Sequence, residues 1–160
     1  KHVGDGWIQI NRMANPLLTH MYTRDDVANT LEHVQHRPDS DAARAATIRG
    51  SVLRMVTLAG TKRGAEVAYA DEVANRLLPD LLSYAVDQPA SYSPGTLGGR
   101  KIADDVMDTQ ISLFWGRQQT DGANDNAARR QQAFPYVMPL SSLPGGFPVG
   151  YEGQQTSCRP

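Results

Sequence analysis

Three aspartates, Asp104, Asp105 and Asp108, form a dense group of side chains that could do chemistry. On a helix, Asp104 and Asp108 lie one turn apart and could share a divalent cation or a proton, whereas Asp105 points about 100° away. Arg100 and Lys101 each precede one acid by a turn, so the simpler interpretation is acids that stabilise a helix N-terminus beside flanking cations. We expect Asp104 or Asp105 to accept backbone hydrogen bonds or to pair with Arg100, with no substrate pocket around them.

A second candidate is the loop DGANDN at residues 121–126, which offers hard oxygen ligands on a turn. Calcium prefers such ligands, and Asp121, Asn124 and Asp125 are the residues that could bind it. The spacing differs from that of an EF-hand. Asp and Asn also form plain turns, because their side chains bond the local backbone. The sequence therefore implies no cofactor firmly, and calcium is the one candidate.

The histidines His33 and His36 lie three residues apart, next to Glu32. They could bind one metal ion, but no third ligand is evident and the spacing is not that of the HExxH zinc proteases. We therefore expect a solvent-facing pair on the polar side of a helix. No serine has the G-x-S-x-G context of an activated nucleophile.

The elements that must position these side chains are mainly helical. Residues 24–78 predict three helices, of which the first ends before Pro38, the second is closed by Gly60, and the third runs from about residue 64 to residue 78. The apolar stripes of these helices are Val27, Leu31 and Val34 in the first, Ala42, Ala45, Ala46, Val52, Leu53 and Val56 in the second, and Val67, Ala70, Ala74, Leu77 and Leu78 in the third.

A fourth helix is predicted from about Arg100 to Trp115, with two adjacent apolar rows that are typical of a central buried helix. The rows are Ile102, Val106 and Leu113, and Ala103, Met107, Ile111 and Phe114. Before it, residues 79–99 form a connector rich in Pro, Gly and Ser, and we expect its apolar side chains to pin it to a core: Leu81, Leu82, Tyr84 and Tyr92.

The predicted fold is mainly α, with a short N-terminal strand at Trp7–Ile10, ended by Asn15 and Pro16, and long irregular Pro/Gly-rich segments. The alternative is α+β, in which residues 7–10 and part of 51–58 complete a sheet supplied by a missing upstream region or by a partner. We expect a single domain over residues 1–139 and an irregular tail over 140–160.

Composition excludes several function classes. The 160 residues carry 16 basic and 17 acidic side chains, which removes the electrostatic basis for nucleic-acid binding. No apolar run approaches the roughly 18–20 residues that a transmembrane helix needs. The one cysteine, Cys158, excludes an internal disulfide framework, although it could be free or cross-linked to another chain.

Several separated segments resemble motifs of the bacterial family called domain of unknown function 4331. GWIQINRMANPL at 6–17 resembles its Arg-Met-Gly-Asn-Pro-Leu segment, and LLPDLLSYAVDQPASYS at 77–93 resembles its Leu-Pro-Asp-Val-Leu-x-Tyr-Asp stretch. GGRKIADDVMD at 98–108 is similar to its Asn-Gly-Arg-x-Leu-Thr-Asp-Asp-Val-x-Asp motif. DGANDN and FPYV at 134–137 resemble its closing motifs, so that the order and approximate spacing agree.

The resemblance matches Asn15, Pro16, Arg100, Asp104, Asp105 and Asp108 to family motifs and implies a structural role for them. Ala14 replaces the usual Gly, and Thr19-His20 replaces the usual Asn-Glu. The chain begins at Lys1 and lacks the upstream β-rich region of the family, so we expect it to be the C-terminal portion of a larger module. The resemblance also implies an extracytoplasmic location, periplasmic or secreted, and supplies no activity.

These features favour a non-catalytic structural or protein-interaction subunit, whose partners are other polypeptides, among them the upstream part of the same module. Tyr136, Phe147 and Tyr151 are the predicted partner-binding residues of its irregular tail. One alternative is a divalent-metal enzyme or a redox-assembly component that uses the aspartates. Another is a carbohydrate or surface-ligand module, with Trp7 or Trp115 as a stacking platform, although Trp115 is expected to be buried.

Overall fold

The computed structural model describes residues 9–23, 31, 33–123, 133, 134 and 136, and the backbone of residues 2, 3, 6 and 7. The contacts divide the chain into two units, Lys1–Ala123 and Asn124–Pro160. The first unit contains the helices and strands described below. Residues 137–160 lie outside the described residues, so the predicted boundary at 139 stays a prediction.

The first long helix, α1, spans Ala45–Ala59 and forms the centre of the first unit. Its buried side chains Ile48, Val52 and Val56 recur every four residues and therefore share one face. The helix ends as predicted at Gly60, whose left-handed φ of 64° lets its N–H bond to Thr57 O at 3.1 Å. The alternative that placed part of residues 51–58 in a strand is wrong.

The second helix, α2, spans Glu66–Leu77 and buries Ala70, Val73, Ala74 and Leu77. Val67, predicted to share this apolar side, is exposed. A face of small alanine side chains lets two helices approach closely, and α2 packs along α1. The side chain of Tyr69 joins α2 to the next helix, since its hydroxyl donates to Leu113 O at 2.8 Å.

The third helix, α3, spans Val106–Trp115 and begins six residues later than predicted. Asp104 and Asp105 explain the delay: Asp104 Oδ2 accepts from Lys101 N at 2.8 Å, and Asp105 Oδ1 accepts from Asp108 N at 2.9 Å. Such side-chain bonds to the backbone compete with a helical turn and favour a cap. The predicted wide buried face is wrong in part, because Ile102 is 58% exposed and Met107 is 39% exposed.

A 3-10 helix, Pro38–Arg44, leads into α1. Pro38 was predicted to end the helix before it; the helical residues 33–35 do end before Pro38, and this proline also begins the 3-10 helix. Proline suits a first helical position because the missing N–H would be unpaired there. Of the predicted apolar stripes before α1, Leu31 and Ala42 are exposed. A π-helix, Leu18–Tyr22, follows the N-terminal segment and contributes two buried side chains to the core.

Two small antiparallel hairpins complete the described secondary structure. Strand β1, His2–Val3, pairs with β2, Gly6–Trp7, so the predicted strand includes Trp7 but does not extend to the exposed Ile10. Strand β3, Ser91–Ser93, pairs with β4, Thr96–Gly98, inside the segment that was predicted to be a connector. The structure is therefore mainly helical with few strands, as predicted.

One apolar core lies between the three α-helices and the π-helix. Within it, the rings of Tyr22 and Phe114 meet edge to face, with centroids 5.0 Å apart. Trp115 packs partly buried against this core, whereas Leu81 and Tyr84, predicted to pin the connector, are exposed. Among the described residues, no helix is long and apolar enough to cross a membrane. The core residues are Leu18, Tyr22, Ile48, Val52, Val56, Ala70, Val73, Ala74, Leu77, Leu113 and Phe114.

The close approach of the ends of α1 and α3 at Gly116 generates a test. Gly116 has a φ of +67°, and an added Cβ would lie 3.0 Å from Val56 Cγ1 and 3.1 Å from Lys62 Cγ. We expect Gly116→Ala to lower the free energy of unfolding by about 1 kcal/mol for the left-handed backbone and by about another 1–2 kcal/mol for overpacking. Urea unfolding measures the loss.

The matched control is Gly60→Ala, because Gly60 has a similar φ of +64° but its nearest neighbour is the flexible end of Arg63, at 3.4 Å. We expect this variant to lose only the backbone contribution, about 1 kcal/mol. Equal losses in the two variants would contradict the proposed close packing around Gly116.

Candidate functional site

A buried ion pair is formed by Arg12 and Asp41. Arg12 lies in the irregular segment before the π-helix, and Asp41 lies in the 3-10 helix. Both guanidinium Nη atoms donate to the two carboxylate oxygens at 2.5 Å, while the side chains are only 7% and 1% exposed. This two-point geometry fixes the orientation of both segments as well as their distance.

Asp80 extends this pair into a larger cluster at the end of α2. Its backbone N–H donates to Asp41 Oδ2 at 2.7 Å, and its Oδ1 accepts from Asn15 N at 2.8 Å and from Asn15 Nδ2 at 3.2 Å. Its Oδ2 lies 3.5 Å from Arg12 Nε and 3.3 Å from His33 Nε2. We call Arg12, Asn15, His33, Asp41 and Asp80 the buried polar network.

Further hydrogen bonds connect the network to β3 and α3. Tyr92 OH donates to Asn15 Oδ1 at 3.3 Å and accepts from Gln110 Nε2 at 2.5 Å. Tyr22 OH then donates to Gln110 O at 2.9 Å. These groups are all buried, and each unmade bond in such a place would cost about 1–3 kcal/mol. The network therefore holds segments together that have little regular structure of their own.

The prediction for the histidine pair is wrong for His33. Its ring is fully buried against the carboxylate of Asp80 instead of facing solvent. His36 is half-buried, and its Nδ1 lies 3.4 Å from Ser40 Oγ. The two rings therefore do not form a common ligand pair. The acid that His33 meets lies 47 residues further along the chain, so no local spacing could have indicated it.

The network changes the protonation equilibria of its central pair. Burial alone would raise the pKa of Asp41, but hydrogen bonds from Arg12 and from the Asp80 N–H, together with the Arg12 charge, outweigh burial, and the pKa lies below its ordinary value. The same hydrogen bond to Asp41 raises the pKa of Arg12. Both groups are therefore held in their charged forms.

The residues singled out by the family resemblance fall into two groups. Asn15 belongs to the network, and Pro16 follows it in a turn that the bond from Leu18 N to Asn15 O closes at 3.2 Å. Arg100 donates to Met13 O at 3.1 Å and lies over the Tyr92 ring, 5.7 Å from its centre. It therefore ties the segment before α3 to the N-terminal segment.

The aspartate triple lies at the start of α3, outside the network. Asp104 and Asp105 accept the backbone hydrogen bonds that were predicted, and Asp108 Oδ1 accepts from Asp121 N at 2.8 Å. The prediction that no substrate pocket surrounds them stays a prediction, although the structure does place them in an open depression. All three line an open cleft of about 950 Å³ between α2, the β3–β4 turn and α3. Its other lining residues include Lys62, Tyr69, Glu72, Arg76, Tyr92, Pro94, Thr109, Ser112, Leu113 and Arg117.

The predicted calcium loop is described only in part. Asp121 Oδ1 accepts from Ala123 N at 2.7 Å, and Gly122 has a φ of +79°, which is the geometry of a plain turn. Asn124 and Asp125 lie outside the described residues. Within the described part of the chain, no three His, Cys, Asp or Glu side chains are arranged to hold a metal ion.

The predicted partner-binding residues lie in the second unit. Tyr136 is about half exposed, and its ring meets that of Phe134 edge to face with centroids 6.0 Å apart. Phe147 and Tyr151 lie outside the described residues, as does the side chain of Trp7. Their role in binding stays a prediction.

Local residue patterns did not indicate that Arg12, His33, Asp41 and Asp80 form a group. Arg12 and Asp80 do lie inside the two segments quoted for the resemblance, RMANP and LPD, which is the signal that could have found them. Asp41 has no such signal, because PDSDAAR resembles any polar helix start.

The charged pair predicts a pH-dependent stability. We expect Asp41→Asn to lower the free energy of unfolding by about 3 kcal/mol at pH 7, because it removes the two-point charged partner of the buried Arg12 and leaves only the longer contact with Asp80. Since the folded pKa of Asp41 lies below its ordinary value of 3.8, the contribution is present above pH 3.8 and is lost as the pH falls through the folded pKa. Urea unfolding from pH 7 to pH 3 measures this difference.

The control is Asp39→Asn, which changes an exposed acid in the same 3-10 helix and should alter stability by no more than about 0.5 kcal/mol. A loss as large as that of Asp41→Asn would show that the pair with Arg12 carries no special weight.

The cap of α3 gives a second prediction. Asp105→Ala removes the acceptor of the Asp108 N–H and should lower the free energy of unfolding by about 1 kcal/mol, whereas Asp105→Asn should lower it by less than about 0.5 kcal/mol because asparagine caps equally well. Thermal or urea unfolding distinguishes the two. If Asn is as damaging as Ala, the charge and not the cap is what matters at this position.

Comparison of the chain with known proteins finds no match among family models, curated proteins or solved structures.

Proposed function

We propose that this chain is a non-catalytic structural and protein-interaction module of an extracytoplasmic bacterial protein. The observation that carries the proposal is that the charged side chains singled out above bond to one another or to the backbone of the same chain. Arg12, Asp41 and Asp80 are closed off from solvent in the network, and the aspartates at the start of α3 each accept a backbone N–H. These groups hold irregular segments in place, which is a structural task.

The family resemblance supports the same proposal. The segments that carry it, residues 6–17, 77–93 and 98–108, meet through contacts of Asn15 with Asp80, of Asn15 with Tyr92, and of Arg100 with Met13. Motifs that contact one another in the fold are expected when a family shares an architecture. The extracytoplasmic location and the place of the chain in a larger module rest on the resemblance alone.

A group of exposed apolar side chains supports interaction with another polypeptide. Tyr84 lies against Gly99, whose added Cβ would meet its ring at 2.8 Å, and the neighbouring Arg100 reaches Met13 O. Six apolar side chains of these segments are at least half exposed, of which Val86 is the most exposed, at 90%. We call five of these six the apolar surface: Met13, Leu81, Tyr84, Val86 and Ile102. Exposed apolar side chains that form one contiguous patch are typical of protein–protein interfaces, and we propose that these five do so.

Site-specific photo-crosslinking in the producing bacterium tests the proposal. A benzophenone amino acid at Val86 or Tyr84 should give one discrete cross-linked species, identified by mass spectrometry as another polypeptide. The control is the same probe at Leu58, which is 78% exposed on α1, outside the apolar surface, and it should give none of that species.

The same species from all three positions, or no species from any of them, would contradict an interaction through the apolar surface. Leu81→Asp in the chain labelled at Val86 provides a second check. Because Leu81 is about half exposed, the substitution should leave the fold intact and reduce the yield of the cross-link. An unchanged yield would argue that the apolar surface does not contact the partner.

A further inference from the structure

The open cleft beside α3 is polarised along its length. Its carboxylates, Asp104, Asp105 and Asp108, lie at the start of the helix, while Lys62 and Arg117 lie at the other end, next to Gly116. The ten residues of α3 separate the two ends by about 15 Å, at about 1.5 Å per residue. The cleft therefore presents negative charge at one end and positive charge at the other.

The described protein groups do not neutralise these charges. Among the residues that the structure describes, the one ion pair in the cleft is Arg76 with Glu72, at 3.7 Å. Lys62 Nζ lies over the Tyr69 ring, 4.8 Å from its centre, and Arg117 lies 5.8 Å from the centre of the Trp115 ring. Both cations therefore stack on aromatic faces, and among the described residues neither forms an ion pair with a carboxylate.

The helix dipole is too weak to account for this arrangement. The start of an α-helix carries about half a positive charge and its end about half a negative charge, against three carboxylates and two cations here. The dipole thus favours the observed polarity, but an excess of negative charge remains at the start of the helix and an excess of positive charge remains at its end. In a partly desolvated cleft, a ligand of opposite polarity would be attracted at both ends.

The carboxylates are also held in position. Asp104, Asp105 and Asp108 each bind a backbone N–H through one oxygen, at 2.8, 2.9 and 2.8 Å, so their side chains need no reordering when a ligand arrives. Apolar contact is available between the two ends from Leu113 and from the ring of Tyr92, both of which line the cleft.

We propose that this cleft binds an extended peptide segment whose cationic part lies at the aspartates and whose anionic part lies at Lys62 and Arg117. An extended chain rises about 3.3 Å per residue, so about five residues span 15 Å. Charge complementarity at both ends, together with the length of the cleft, selects this occupant over a small ion. The inference takes from the proposed function only that the ligand is a polypeptide, and the site is separate from the apolar surface.

Titration with synthetic peptides tests the proposal directly. The first peptide is Lys-Lys-Ala-Glu-Glu with free termini, and the second is Lys-Glu-Ala-Glu-Lys, which has the same composition and net charge but does not separate the two signs of charge. We expect the first to bind at least about tenfold more tightly in calorimetry at low salt, and the affinity to fall as salt is added. Amide chemical shifts should change along the cleft.

Paired variants identify the cleft as the binding site. Asp104→Asn with Asp108→Asn keeps the oxygen acceptors and removes two charges, while Lys62→Gln with Arg117→Gln removes the charge at the other end. Each pair should weaken binding of the first peptide at least about fivefold. Asp87→Asn and Arg54→Gln, which change exposed charges outside the cleft, should leave it unchanged.

Equal affinity for the two peptides, no binding at 1 mM, or equal losses in the control variants would each overturn the proposal. These results leave the proposed interaction through the apolar surface unaffected, because the cross-linking experiment reports on Val86 and Tyr84 and not on the cleft. Conversely, loss of the cross-link would not change the peptide titration, so the two proposals can fail separately.

Discussion

The carboxylate of Asp80 is the group on which the arrangement of the first unit depends. Its Oδ1 accepts hydrogen bonds from both nitrogens of Asn15, and its Oδ2 lies close to Arg12 and His33. The backbone N–H of the same residue donates to Asp41 Oδ2. An isolated buried carboxylate would be prohibitively costly, so its partners must be brought to it. That requirement determines where the N-terminal segment, the 3-10 helix and the end of α2 can lie.

Apolar packing supplies the other half of the architecture. The faces of α1, α2 and α3 bury a compact set of aliphatic and aromatic side chains, and two tyrosine hydroxyls at the edge of this core donate to carbonyls of α3: Tyr22 to Gln110 and Tyr69 to Leu113. Hydrophobic burial in the core has no preferred direction, whereas the hydrogen bonds and ion pairs of the network require a defined geometry. Together they stabilise a chain that is only 40% hydrophobic.

Residue spacing and capping residues predicted those features that depend on neighbouring residues in the chain, such as the face and the end of a helix. The glycine at 60 was enough to predict the end of α1, and Val52 and Val56 were correctly placed on its buried face. Ile48 was missed, and Ala42 and Ala46 of the predicted stripe are exposed. Asp105 was recognised as an acid near a helix start, but its side chain caps the helix, which begins at Val106, six residues later than predicted. The network was not predictable in this way, because Arg12 and Asp41 are 29 residues apart and meet only in three dimensions.

The sequence separation of the network partners has a consequence for how the protein is made. Asn15 and Asp80 are 65 residues apart, and Asp41 and Asp80 are 39 apart. A chain that emerges from the ribosome N-terminus first therefore presents Arg12 and Asp41 to water long before Asp80 is synthesised. Contacts of this separation form late because the loops must close first, so the network cannot be completed until Asp80 has been synthesised.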